Sequence, residues 1–86
     1  MKYLLVTTTT CIKCPSFKEI VKNKLQFDGE IINEQSLNFS EILQKYNISS
    51  APTIIIFENE KEIFRTTEEF ALVEFLRSNN SNKSTN

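Results

Sequence analysis

The sequence predicts an α/β fold in the order β-α-β-α-β-β-α, with a central four-stranded mixed sheet and helices on both of its faces. Short apolar runs that suit strands alternate with segments of helical periodicity, and polar or turn-forming residues separate them. This alternation predicts that the first three strands lie parallel, and a closing hairpin adds an antiparallel strand. The 86 residues are enough for one small domain.

The predicted strands are short and mostly apolar. The first covers residues 2–7, and the third covers residues 53–57, where three consecutive isoleucines indicate a buried central strand. The second is predicted over residues 30–33, after a turn at residues 27–29. The fourth is predicted over residues 61–65, after a polar turn that lets it pair back on the third.

The first predicted helix covers residues 12–25. Pro15 suits its first turn, because the N–H that proline lacks has no helical partner there. Apolar residues recur at helical spacing along the helix and form one stripe. The stripe consists of Phe17, Ile20, Val21 and Leu25.

Capping patterns locate the other two helices. Asn38 and Glu41 fit a capping box, so the second helix is predicted to start near Asn38. Thr66 and Glu69 fit another capping box, and the third helix is predicted over residues 67–77.

The end of the sequence differs in composition from the rest. Residues 79–86 are Asn, Ser, Lys and Thr alone, and such a segment has nothing to bury. The sequence therefore predicts a domain over residues 1–78 and a polar, disordered tail over residues 79–86.

Composition excludes several classes of function. The net charge is −1 and the lysines are scattered among glutamates, so neither nucleic acid nor a membrane surface is an expected partner. The apolar residues 1–6 are too few for a signal peptide, and no stretch is long enough to cross a membrane, so the expected location is the cytoplasm. The single glycine excludes a glycine-rich phosphate loop, and no histidine is present to carry protons near neutral pH.

Two cysteines, Cys11 and Cys14, follow the first strand and begin the first predicted helix. Unpaired N–H groups at a helix start and the charge of Lys13 both stabilise a thiolate, so the pKa of Cys11 is expected to fall below the free value of about 8.5. The spacing brings Cys14 within one helical turn of Cys11. We expect Cys11 to attack a substrate disulfide and the less exposed Cys14 to resolve the mixed disulfide.

Three other interpretations of the cysteine pair remain open at this point. The cysteines could be inert core residues, or they could tune an interaction in a binding module that has no turnover. They could also bind a metal, although one pair supplies only half of a four-sulfur site. With no histidine and no third cysteine, a metal would have to be shared between two chains.

The sequence resembles the thioredoxin/glutaredoxin superfamily over nearly all of residues 1–77. A Cys-x-x-Cys-Pro motif, residues 11–15, follows the first strand, and K-Y-N-I-S-S-A-P-T-I-I-I-F at residues 45–57 resembles the stretch that leads into the cis-proline strand of thioredoxins. A hairpin and a closing helix follow in the same order. The resemblance implies a thioredoxin-like fold.

The resemblance also implies a site and an activity. Pro52 would be cis and lie beside the cysteine pair, and the backbone of Ala51 would pair with an extended substrate peptide. Thr10, directly before Cys11, and Lys13, two positions after it, are further expected substrate contacts. Cys11 and Cys14 are the expected catalytic residues. The implied activity is that of a protein-disulfide reductase, or of a glutaredoxin-like electron donor to ribonucleotide reductase. Disulfide-containing proteins would be its substrates, a thioredoxin-reductase-like enzyme or another reductant would recharge it, and a monomer with no cofactor or metal is expected.

The chain departs from the family pattern at several positions. Thr10 stands where thioredoxins usually have tryptophan, and Ile12 and Lys13 stand in place of Gly-Pro. Leu5 lies in the region where thioredoxins place a buried acid, so the resolving thiol has no expected carboxylate partner. Residues 58–60 and 66–68 do not match the glutathione-binding pattern of glutaredoxins, so a glutathione site is not expected.

Overall fold

The computed structural model of the protein describes residues 1–25 and 27–84. The seven elements follow the order that the sequence predicts. They are β1 Lys2–Val6, α1 Cys14–Lys24, β2 Gly29–Ile32, α2 Phe39–Lys45, β3 Thr53–Glu58, β4 Lys61–Thr66 and α3 Glu69–Ser84. No helix in these described ranges is both long and apolar enough to span a bilayer.

The four strands form one mixed sheet in the order β2-β1-β3-β4. β1 and β2 run parallel, whereas β3 runs antiparallel to both β1 and β4. The prediction that the first three strands are all parallel is therefore wrong for β3. Val6 pairs with Ile32 at the end of β2 and with Thr53 at the start of β3, so the chain between them leaves and re-enters the sheet at the same edge.

The length of this connection explains the reversal. α2 has seven residues, which correspond to a rise of about 10 Å. The seven residues 46–52 that follow it can span more than 20 Å when extended, about twice that rise. The chain can therefore return to its starting edge before β3 begins, and the antiparallel direction follows.

Apolar side chains fill both faces of the sheet. On one face, α1 and α3 cover a first cluster, whose buried members are Leu5, Phe17, Val21, Ile54, Ile56, Leu72 and Leu76. On the other face, α2 covers a second cluster, whose buried members are Leu4, Val6, Ile32, Ile48 and Ile55. Successive residues of β1 and β3 point to opposite clusters, as the two-residue period of a strand requires.

The helix boundaries differ from the predicted ones. Asn38 is the residue before α2, but its side chain makes no capping hydrogen bond, so the predicted capping box does not form. The Thr66 hydroxyl accepts a hydrogen bond from the Glu68 backbone N–H, two positions on. The predicted end of α3 is near residue 77, whereas its helical backbone continues through Ser84. The last two residues of the predicted tail lie outside the described residues.

The single glycine has a different role from the predicted one. Gly29 lies in β2 opposite Tyr3, not in a turn, and its φ is not positive. A Cβ at this position would overlap the ring and backbone of Tyr3. Close approach of two strands, rather than turn geometry, therefore accounts for the glycine.

Candidate active site

Three loops meet at the edge of the sheet where β1 ends. They are the β1–α1 loop, the segment that enters β3, and the β4–α3 connection. Thr53 at the start of β3 pairs with Val6, and Thr66 at the end of β4 pairs with Ile54. Because these strand ends are neighbours, residues far apart in sequence come together here.

Hydrogen bonds connect the loop before the cysteines to the end of β2 and the residues that follow it. Thr7 is buried, and both its backbone N–H and its hydroxyl donate hydrogen bonds to the Ile32 carbonyl, at 2.8 and 3.0 Å. Thr9 donates from its N–H, at 2.7 Å, and from its hydroxyl to the Glu34 carboxylate. The Cys11 N–H then donates to the Thr8 carbonyl at 3.3 Å. These bonds hold the backbone that presents Cys11.

Cys11 and Cys14 form a disulfide, with their Cα atoms 5.4 Å apart. The two residues differ in exposure: Cys14 is 3% exposed, whereas Cys11 is partly exposed. Cys14 is the first residue of α1, so Cys11 precedes the helix, although the sequence predicts that the helix starts at Ile12. The bond to Cys14 nevertheless holds the Cys11 sulfur at the helix N-terminus.

Within the described residues, the N-terminus of α1 has no side-chain cap. Lys13 is the N-cap residue and makes no side-chain capping bond, and the first turn contains no acidic residue. Pro15 removes one N–H from this turn, and the Phe17 N–H is already bonded to the Lys13 carbonyl. The remaining N–H groups and the helix dipole favour negative charge on a nearby sulfur.

The peptide bond between Ala51 and Pro52 is cis, which confirms the geometry implied by the family resemblance. Pro52 is buried and Ala51 is half-buried. The Thr53 hydroxyl donates to the Ser50 carbonyl at 2.6 Å and closes the turn that precedes β3. This turn fixes the backbone of Ala51 at the site.

An open groove of about 450 Å³ lies at this edge of the sheet. Five of the six predicted site residues line it: Thr10, Cys11, Lys13, Ala51 and Pro52. Cys14 is not among the lining residues and is almost fully buried. The groove is thus lined by the partly exposed Cys11, whereas Cys14 is too deeply buried for a large substrate to reach.

The groove also contains residues that the sequence analysis did not assign to the site. They are Thr8, Ile12, Ser50, Thr67 and Glu68. The first three are sequence neighbours of predicted residues, whereas Thr67 and Glu68 come from the β4–α3 connection. Only the strand topology could identify Thr67 and Glu68 as site residues, because the antiparallel β4 has to end at the edge where β3 begins.

Leu5 lies in the region where the family resemblance places a buried acid, and it is fully buried in the first cluster. The exposed Glu34 has a pKa below its ordinary value of 4.5, because the Thr9 hydroxyl and N–H donate hydrogen bonds to its ionised form. Across the described residues, no three His, Cys, Asp or Glu side chains cluster in a way that could hold a metal.

Comparison with solved structures supports the same architecture, although no protein-family model matches the chain. Thioredoxin 1 from Thermosipho africanus aligns with a TM-score of 0.70 and 22% identity, covering 99% of this chain and 97% of that one. Oxidised thioredoxin O2 from Arabidopsis thaliana aligns with a TM-score of 0.73 and 14% identity, over 90% of this chain and 72% of its own. The oxidised thioredoxin from Plasmodium falciparum aligns with a TM-score of 0.67 and 19% identity, over 90% of this chain and 78% of its own. The chain therefore has the thioredoxin fold.

Proposed function

We propose that the protein is a dithiol–disulfide oxidoreductase that reduces disulfides in other proteins through Cys11 and Cys14. The observation that carries the proposal is the unequal exposure of the two bonded cysteines: Cys11 lines an open groove, whereas Cys14 is buried. Such a pair can form one mixed disulfide with a large substrate and then close on itself.

The reaction starts from the reduced pair. The Cys11 thiolate attacks one sulfur of the substrate disulfide, forms a mixed disulfide and releases the other substrate sulfur as a thiolate. Cys14 then attacks Cys11 Sγ, the mixed disulfide breaks, and the second substrate sulfur leaves. The protein dithiol is oxidised to the Cys11–Cys14 disulfide, and the substrate takes up two electrons and two protons.

Proton transfer in this scheme needs no carboxylate. The substrate thiolate released in the first step is itself a base, and it can accept the proton that Cys14 loses. This matches a site in which leucine occupies the place of a buried acid. An external dithiol, such as a thioredoxin-reductase-like enzyme, would restore the reduced pair.

An insulin-disulfide reduction assay tests the proposal, with dithiothreitol or a coupled reductase as the electron source. We expect turnover by the wild type and none above background by Cys11→Ser. Cys14→Ser should accumulate a mixed disulfide with the substrate, because the second attack is lost. Failure of the wild type with every reductant would refute the proposed function.

Alkylation of the reduced protein tests the assignment of the two sulfurs. Cys11 should react with iodoacetamide much faster than Cys14 near neutral pH, because it is accessible and lies at the uncapped start of α1. Mass spectrometry of peptides from a time course gives both rates in one sample. Equal rates would contradict the assigned roles.

A further inference from the structure

Among the described residues, one cationic and one anionic side chain line the groove. Of the ten residues that line it, only Lys13 and Glu68 are charged. Both side chains are exposed. In the described part of the chain, the ion pairs join Arg65 to Glu62 and Arg77 to Glu74, so they engage neither groove charge.

The order of the strands fixes where these charges lie. Lys13 and Cys11 belong to the loop that follows β1, whereas Glu68 follows β4, and β3 lies between these two strands. Neighbouring strands are about 4.8 Å apart, so two spacings separate the ends of β1 and β4 by about 10 Å. An extended peptide that crosses the groove at about 3.4 Å per residue covers this distance in roughly three residues.

The two charges act on different parts of a reacting substrate. Lys13 is close in sequence to Cys11, so its charge acts mainly on the reacting sulfur. Glu68 follows β4, which lies two strands away from β1, and its backbone N–H donates a hydrogen bond to the Thr66 hydroxyl. Because Glu68 lines the groove, its side chain is available to residues that flank the attacked cysteine of a bound peptide.

From this placement we infer that Glu68 selects the substrate: the groove prefers disulfides whose attacked cysteine lies about three residues from a lysine or arginine. The inference rests on the proposed function and names the peptide class it would take. A basic side chain at that distance meets Glu68, and an acidic one is repelled by it. Two unit charges about 4 Å apart in water change an equilibrium or rate by about fivefold.

Model peptides test the inference directly. Each peptide contains one cysteine in a mixed disulfide with thionitrobenzoate, and the residue three positions before or after the cysteine is Lys, Gln or Glu. The rate of chromophore release by reduced wild-type protein measures attack at Cys11. On the side that faces Glu68, we expect the Lys peptide to exceed the Gln peptide by about fivefold, and the Gln peptide to exceed the Glu peptide by a similar factor.

Variants of the protein separate the effect of Glu68 from that of overall charge. Glu68→Gln should bring the Lys-to-Glu rate ratio close to one, and Glu68→Lys should invert it. The matched control is Glu58→Gln, which makes the same change in net charge at the far end of β3, and it should keep the wild-type ratio. A ratio that survives in Glu68→Gln would overturn the inference.

Salt dependence of the wild type provides a test that needs no variant. Raising the salt from about 0.1 M to about 1 M shortens the screening length from about 10 Å to about 3 Å, so the rate ratio should fall toward one. Equal rates for all peptides at low salt would overturn the inference but leave the proposed function intact. If Cys11→Ser released the chromophore as fast as the wild type, the proposed function itself would fail.

Discussion

At the scale of single residues, Glu34 makes a contact whose strength depends on pH. Its ionised carboxylate accepts two hydrogen bonds from Thr9, which lower its pKa below 4.5 in the folded protein. Because the pKa of Glu34 is lower in the folded than in the unfolded protein, the contact stabilises the fold fully at pH values above the unfolded-state pKa. This contribution is lost as the pH falls through the folded-state pKa.

We therefore expect Glu34→Gln to lower the thermal midpoint at pH 7, and we expect its difference from the wild type to shrink as the pH falls below 4.5. Thermal unfolding at several pH values, followed by circular dichroism, measures this difference. Glu30→Gln makes the same change at an exposed position of β2 and is the matched control. A constant gap between Glu34→Gln and the wild type at all pH values would contradict the prediction.

Glu60 occupies a backbone conformation that favours glycine. The β3–β4 hairpin turns at Asn59 and Glu60, which have φ values of 53° and 67°. Asparagine tolerates this region, but a side chain such as that of glutamate costs roughly 1–2 kcal/mol there. Glycine removes that cost, and its greater freedom in the unfolded chain offsets roughly 0.5–1 kcal/mol of the gain.

Glu60→Gly should therefore stabilise the protein by about 0.5–1 kcal/mol. Urea unfolding at equilibrium measures the change in the free energy of unfolding. Glu58→Gly is the control: Glu58 is the last residue of β3, and its φ is not positive, so glycine there should destabilise. The explanation is wrong if both substitutions shift the midpoint in the same direction.

At the scale of elements, Arg65 ties β4 to the end of α2. Its guanidinium donates to the carbonyls of Tyr46, at 2.6 Å, and Asn47, at 3.2 Å, which lie at the C-terminus of α2. It also forms a two-bond pair with Glu62, at 2.8 and 3.0 Å. The planar fork of arginine makes these contacts together, which a lysine ammonium cannot do.

Arg65→Lys should destabilise the protein by about 1–2 kcal/mol, because carbonyls at the helix end lose a charged donor. Urea unfolding is again the measurement. Arg77→Lys is the matched control, since Arg77 is exposed and contacts Glu74 at 3.5 Å, and such surface pairs contribute little. Similar losses in the two variants would show that Arg65 is only another surface charge.

The elements themselves follow from local sequence, but their directions do not. Apolar runs and helical periodicity predicted all seven elements, and the isoleucine run identified the central strand. The direction of β3 was mispredicted, because it depends on how far the chain travels between β2 and β3. The capping box at Asn38 failed for a related reason: the sequence pattern does not determine whether the side chain turns back to the helix.

The residues of the candidate site also fall into two groups: those that local sequence motifs predict, and those that only the fold identifies. Cys11, Lys13 and Pro52 are recognisable in local motifs, and the structure brings them to one groove. Glu68 has no motif of its own, and in the sequence it resembles one more exposed carboxylate. Its position becomes visible only when the ends of β1, β3 and β4 are known to share an edge.

At the scale of the whole molecule, the two faces of the sheet are covered unequally. α1 buries Phe17 and Val21 in the first cluster, and α3 adds Leu72 and Leu76. α2 contributes no fully buried residue to the second cluster and has only seven residues. Opening α2 therefore exposes much less apolar surface than opening α1.

We expect the amides of α2 to exchange with solvent faster than those of α1, after correction for intrinsic rates. Burial of one large apolar side chain contributes about 1.5–3 kcal/mol, so the difference in protection should be at least about tenfold. Hydrogen exchange followed by NMR measures both helices in one sample. The segment after α2 leads to Ala51 at the groove, so local opening of α2 would also loosen the backbone that is proposed to bind the substrate. Equal protection of α1 and α2 would mean that the two faces unfold together and that this asymmetry has no dynamic consequence.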